Sequence, residues 1–172
     1  MDSRQHDRML KQLHDSLDEK AVVEAAQGLA SAGCVESVPA LIALIRTTES
    51  TAIRNAVAIA LADLQGEGAV PVLSEVLRAP RCIGSRGSLL YALSGFDNGP
   101  LLETLVAIVI GGNFEERHQA FQNIESIESE IDAAIWNACI EKLEAALEEA
   151  HDDRRELTAE LLDLFRGRPI VS

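Results

Sequence analysis

The chain repeats itself about every 32 residues. Ala21–Pro39 lies over Ile53–Pro71 without a gap, so that Leu29 falls on Leu61, Ala30 on Ala62, Val38 on Val70 and Pro39 on Pro71. The match runs on past the prolines, with Pro39–Arg46 over Pro71–Arg78. In a third copy Leu93 keeps the spacing of Leu29 and Leu61, while Pro100 arrives three residues early, which implies a shorter turn before it. A unit of this length is one supersecondary piece. It cannot bury its apolar face alone, so neighbouring copies must stack to make a continuous core.

An arginine marks the register seven residues before the repeated apolar position. Arg54 precedes Leu61, Arg86 precedes Leu93, Arg117 precedes Ile124, and Arg154 precedes Leu161 in a last half-repeat. Inside each unit the apolar spacing is helical. Val57, Leu61 and Leu64 share one face, as do Leu73, Val76 and Leu77. Pro39, Pro71 and Pro100 mark the starts of second helices, where the missing N–H costs nothing. Gly33, Gly66, Gly95 and Gly99 fall between helices, where a chain reversal wants permissive dihedrals. The pattern predicts a first helix over 3–17, then pairs at 20–32 and 36–47, 51–64 and 68–78, 82–94 and 99–110, 113–127 and 129–150, and a last helix at 153–166. Gly111-Gly112-Asn113 reads as the strongest internal break.

Arg54-Asn-Ala-Val-Ala-Ile-Ala-Leu61, a short glycine-containing turn, then Val70-Pro71-Val-Leu73 resembles the bacterial-type HEAT repeats, including the HEAT-like repeats of phycobilin lyases. The resemblance is close over 20–110 and looser over 113–166. It implies an all-α fold, a short α-solenoid of about four to five HEAT-like helix pairs, with 1–172 one repeat domain and 20–166 its core. It implies a scaffold rather than a chemistry, because such repeats serve adaptors, lyase subunits, toxin-neutralising proteins and one class of iron oxygenase.

Composition agrees with close helix packing. The apolar mass is mostly Ala, Leu, Ile and Val, with few aromatics. A net charge of −13 argues against nucleic acid or an anionic membrane as the partner and is compatible with a basic protein. Cys34, Cys82 and Cys139 lie far apart and form no CxxC pair, which points to reduced thiols and a cytoplasmic setting. The first residues lack an apolar leader core, and apolar runs such as 105–110 are too short to span a bilayer.

No catalytic, cofactor or metal residues are expected. His6, His14 and His151 each precede an aspartate and His118 a glutamine, none in the His-Glu pattern of the iron-binding HEAT enzymes. Neighbours in sequence point about 100° apart on a helix, so a His-Asp pair does not easily share one metal. These histidines read as solvated side chains on polar segments. Glu115-Glu116-Arg117-His118 has the Glu-x-x-His spacing, but its acids suit a helix start. Ser85 and Ser88 near Cys82 have no histidine beside them, and Gly84-Ser-Arg-Gly87 lacks the lysine of a phosphate loop. Cys82 and Cys139 fall at apolar helical positions and read as buried thiols.

Charge is the informative surface property. Between Glu115 and Asp153 there are twelve acids, opposed only by Arg117 and Lys142. Two readings stand: a solvated face, or a surface that steers a basic partner. Trp136, Ile140, Leu143 and Leu147 form one helical stripe, and Ile131, Ile135 and Cys139 an adjacent one. Either both are buried on a wide face or one is exposed for a partner.

The function expected is therefore a non-enzymatic protein-binding module, in its most specific form an immunity-type protein that masks a basic toxin or effector. The alternative is an adaptor or lyase-like accessory subunit of an enzyme. In stacks of this kind the second helix of each pair lines the concave side, which places Ala43 and Arg46, Glu75 and Arg78, Glu103 and Thr104, then Glu141 and Glu144 there. The partner-binding candidates are Glu75, Arg78, Glu103, Glu141, Glu144 and Glu148.

Overall fold

In the computed structural model, which describes residues 3–167, helices follow one another at the repeat spacing. They are α1 Ser3–Asp15, α2 Glu19–Ser31, α3 Val38–Thr47, α4 Thr51–Asp63, α5 Ala69–Arg78, α6 Gly87–Leu93, α7 Leu102–Gly111, α8 Phe114–Glu125, α9 Ala133–Glu149 and α10 Asp152–Gly167. No strand occurs among the described residues. The fold is an all-α solenoid of HEAT-like pairs. The chain divides into two compact units, Met1–Phe96 and Asp97–Ser172.

In the first unit α2, α4 and α6 pack in succession, and α3 packs on α5. The repeated leucines Leu29, Leu61 and Leu93 are fully buried. Burying a side chain of that size contributes about 1.5–3 kcal/mol. Local sequence sets the ends. Asp18 caps α2 by accepting from the Lys20 N–H at 3.1 Å, and Ser50 caps α4 by accepting from the Ile53 N–H at 3.1 Å. Beyond α2 the chain reverses through Gly33 at φ +66°, and the Cys34 N–H returns to the Leu29 carbonyl. One repeat later the left-handed position is Gln65, at φ +47°, not Gly66 as the glycine pattern suggests. Gly66 serves proximity instead, since a Cβ there would stand 3.1 Å from both Val38 methyls.

Three expected boundaries differ. The helix expected over 82–94 spans only Gly87–Leu93, because a 3-10 turn at Pro80–Cys82 and the left-handed Gly84 occupy the residues before it. The helix expected over 129–150 starts only at Ala133, where Asp132 caps it, while Pro71 lies in the first turn of α5 as expected. Pro100 lies in a 3-10 turn, Gly99–Leu101, ahead of α7.

In the second unit α7 packs on α8, α9 and α10, and α9 packs on α10. Ile124 and Leu161 are buried at the repeated position, as in the first unit. Gly111-Gly112-Asn113 is a tight joint between α7 and α8, which lie in the same unit, rather than a break between parts of the molecule. Asn113 closes a capping box: its Oδ1 accepts from the Glu116 N–H at 2.9 Å, while Glu116 Oε2 accepts from the Asn113 N–H at 3.2 Å. Glu116 is thus a buried structural acid. Trp136 is buried and stacks on Phe165, with centroids 4.1 Å apart and planes at 24°. Of the two stripes on α9, Trp136, Cys139 and Leu143 face the core, and Ile135 is 40 % exposed.

Candidate partner-binding surface

The register arginines are framework. Arg54 is buried, and its Nη2 donates to Ser85 Oγ at 2.8 Å. Arg117 is also buried, and its Nη2 meets Asp153 Oδ2 at 2.5 Å. Ser85 and Asp153 each stand immediately before the next arginine of the series, Arg86 and Arg154. The same donor therefore reaches the same place in the following repeat. The Arg117 guanidinium holds the Asp153 carboxyl below its ordinary value of 3.8.

The six candidates, Glu75, Arg78, Glu103, Glu141, Glu144 and Glu148, are all exposed. They are not equally free. In the first unit Glu75 accepts from Arg46 Nε at 3.0 Å, across α3 and α5. Arg81 donates to the Arg46 carbonyl at 2.9 Å, at the C-terminal end of α3 where a cation is favoured. On the surface of α3 and α5, then, Glu75 is already paired with a cation.

In the second unit Glu103 of α7 accepts from Lys142 of α9 at 2.8 Å. That hydrogen bond lowers the Glu103 carboxyl and raises the Lys142 ammonium from their ordinary values. Glu144 accepts from Arg166 of α10 at 2.6 Å. Glu141, Glu148 and Glu149 are exposed carboxylates with no ion pair among the described residues. Near the end of α9 a hollow of about 470 Å³ is lined by Glu149, His151, Asp153 and Arg154, over Ile110, Ala146, Ala150 and Thr158.

Charge divides with the units. Met1–Phe96 carries eleven acids against nine Lys and Arg, a net of −2. Asp97–Ser172 carries seventeen against six, a net of −11. Cys34, Cys82 and Cys139 are all buried and free, and burial pushes the Cys139 thiol up to about 11.

A family model for HEAT repeats matches residues 7–94, just over half of the chain. The chain belongs to the HEAT-repeat family. No curated protein matches it. HEAT repeats are generally protein-interaction modules, and no helix among the described residues of this HEAT-repeat chain is long and apolar enough to cross a membrane. The matched segment falls within the first unit, so the strongly acidic second unit is the part least like the family pattern.

One histidine departs from the expectation of solvated side chains. His6 is only 18 % exposed, with Cys34 and Glu36 beside it. The sequence gives no sign of this, because Cys34 and Glu36 come from the turn after α2, a full helix away from His6. His118 fits a structural role: its Nδ1 lies 2.8 Å from the Phe114 carbonyl, and the two rings stand 4.1 Å apart.

Proposed function

We propose that this chain is a non-enzymatic protein-binding module whose second unit receives a basic protein partner. In its most specific form the partner is a toxin or effector whose cationic surface the module masks. The observation that carries this is the uneven charge, a net of −11 in the second unit against −2 in the first, with Glu141, Glu148 and Glu149 left unpaired along α9.

Unpaired carboxylates at one edge of a domain repel one another and are retained at some cost to stability. A cationic partner relieves that repulsion on docking. The same field raises the association rate at low salt and is screened within about 10 Å at 0.1 M. The paired acids Glu75, Glu103 and Glu144 contribute less, because a partner must first displace Arg46, Lys142 or Arg166.

The test is capture by the full chain from its native cells at low and high salt, followed by identification of what elutes. Wild type should retain a protein of high isoelectric point that salt releases, and the variant with Glu141, Glu148 and Glu149 all changed to Lys should lose it. Partners that are acidic, or that the triple variant retains at the same salt, would refute the proposal.

A further inference from the structure

Three different ligand-type side chains converge where α1 crosses the turn between α2 and α3. His6 comes from α1, Cys34 from the residue after Gly33, and Glu36 from the 3-10 turn Val35–Ser37. One ligand atom from each, an imidazole nitrogen, the thiol sulfur and a carboxylate oxygen, all lie within 4.8 Å of one another.

The atoms have little other employment. His6 Nε2 is buried and has no hydrogen-bond partner. It stands 3.7 Å from Glu36 Oε1, longer than a hydrogen bond of about 2.7–3.2 Å. The Cys34 sulfur has one weak contact, to the Ala32 carbonyl at 4.0 Å. The other imidazole nitrogen, Nδ1, lies 3.8 Å from the Asp7 carboxylate. That contact too is longer than a hydrogen bond, so neither imidazole nitrogen is engaged by a carboxylate.

We propose that His6 Nε2, Cys34 Sγ and Glu36 form a site for a zinc-class divalent ion. Bonds of about 2.0–2.3 Å at tetrahedral angles set ligand atoms roughly 3.3–3.7 Å apart, so a pair at the 4.8 Å limit has to close by about 1.1–1.5 Å. One nitrogen, one sulfur and one oxygen suit a borderline ion rather than calcium or magnesium. Three protein ligands leave the fourth position to water. On binding, the Cys34 S–H bond breaks as the sulfur–metal bond forms, and the proton passes to solvent. His6 enters neutral and Glu36 as carboxylate. The ion would tie α1, which packs on α2 and α3, to the end of the first repeat.

Cobalt(II) is the probe. The full chain, stripped with chelator and titrated with cobalt, should show one equivalent of tetrahedral cobalt with a thiolate-to-metal charge-transfer band, and zinc should displace it. Cys34→Ser should abolish the band, while Cys82→Ser and Cys139→Ser should keep it. His6→Gln and Glu36→Gln should each weaken binding by more than about tenfold, the loss that even an outer-shell partner commonly causes. Glu36 is exposed, so its variant keeps the fold and remains informative even if Cys34→Ser unfolds. The site is refuted if wild type shows no band, if the band survives in Cys34→Ser, or if both Gln variants bind as tightly as wild type.

Discussion

Arg117 lies 3 % exposed beneath Asp153, which is 59 % exposed, and the two are joined at 2.5 Å. A buried cation therefore depends on a carboxylate at the surface. Because the Asp153 carboxyl is held below 3.8 in the folded chain, its contribution to stability is fully present above that value. It is lost as the pH falls through the lower, folded value. Asp153→Asn should lower the melting temperature at pH 7, and the gap from wild type should close below about pH 3.8. A gap that persisted unchanged at pH 2 would show that the carboxylate charge is not what holds Arg117.

The equivalent contact in the first unit is neutral. Ser85→Ala removes the Oγ that Arg54 meets at 2.8 Å and leaves a buried guanidinium short of an acceptor. The expected loss is about 1–3 kcal/mol by urea unfolding. Loss below half a kcal/mol would mean that the Ser85 and Thr51 oxygens that remain suffice.

Leu61→Ala and Leu93→Ala should each cost about 2–5 kcal/mol, since both side chains are fully buried at the repeated core position. A melting point within a degree or two of wild type for either would contradict the register.

Those leucines also show what the sequence makes legible. Stacking needs a large apolar residue at the same place in every copy, so the positions of Leu29, Leu61, Leu93, Ile124 and Leu161 are legible as a period, and all are buried. Prolines and cap residues put most helix ends within a few residues. Pairings across helices leave no such trace. Glu144 and Arg166 meet at 2.6 Å because α9 and α10 pack together, and no spacing announces it. His6, Cys34 and Glu36 come together for the same reason. Glycines are ambiguous in sequence because one residue type serves both turns and close approaches, so Gly66 passes for a reversal that Gln65 makes.

Adjacent glycines in the α7–α8 joint should behave oppositely. A Cβ on Gly112 would stand 2.7 Å from the Ile108 carbonyl oxygen and 3.1 Å from Glu116 Cβ, while one on Gly111 meets nothing within 4 Å. Gly112→Ala should destabilise by about 1–3 kcal/mol. Gly111→Ala should be neutral or stabilising by up to about 1 kcal/mol. Thermal melts of the two variants side by side decide it, and equal effects would mean that the joint is loose.

Changing Glu141, Glu148 and Glu149 to Lys should leave the melting temperature nearly unchanged, because exposed positions rarely exceed about 0.5 kcal/mol. It should slow association with a basic partner at low salt and flatten the salt dependence, as read by stopped-flow or surface-binding kinetics. Glu67→Lys, at an exposed position in the nearly balanced first unit, serves as the control and should do much less. An unchanged on-rate for the triple variant, with binding lost in Glu75 or Glu103 variants, would move the interface to the second helices of the earlier repeats.

The stacking of Trp136 on Phe165 gives the molecule an optical asymmetry. Trp136 is the only tryptophan and Tyr91 the only tyrosine, and they lie in different units. Excited at wavelengths where tyrosine is dark, the chain emits from one indole held between α9 and α10. Its fluorescence therefore follows the undocking of the last helix, whereas circular dichroism follows every helix at once. The two signals, recorded during a single urea titration, separate the melting of the acidic end from that of the repeats before it.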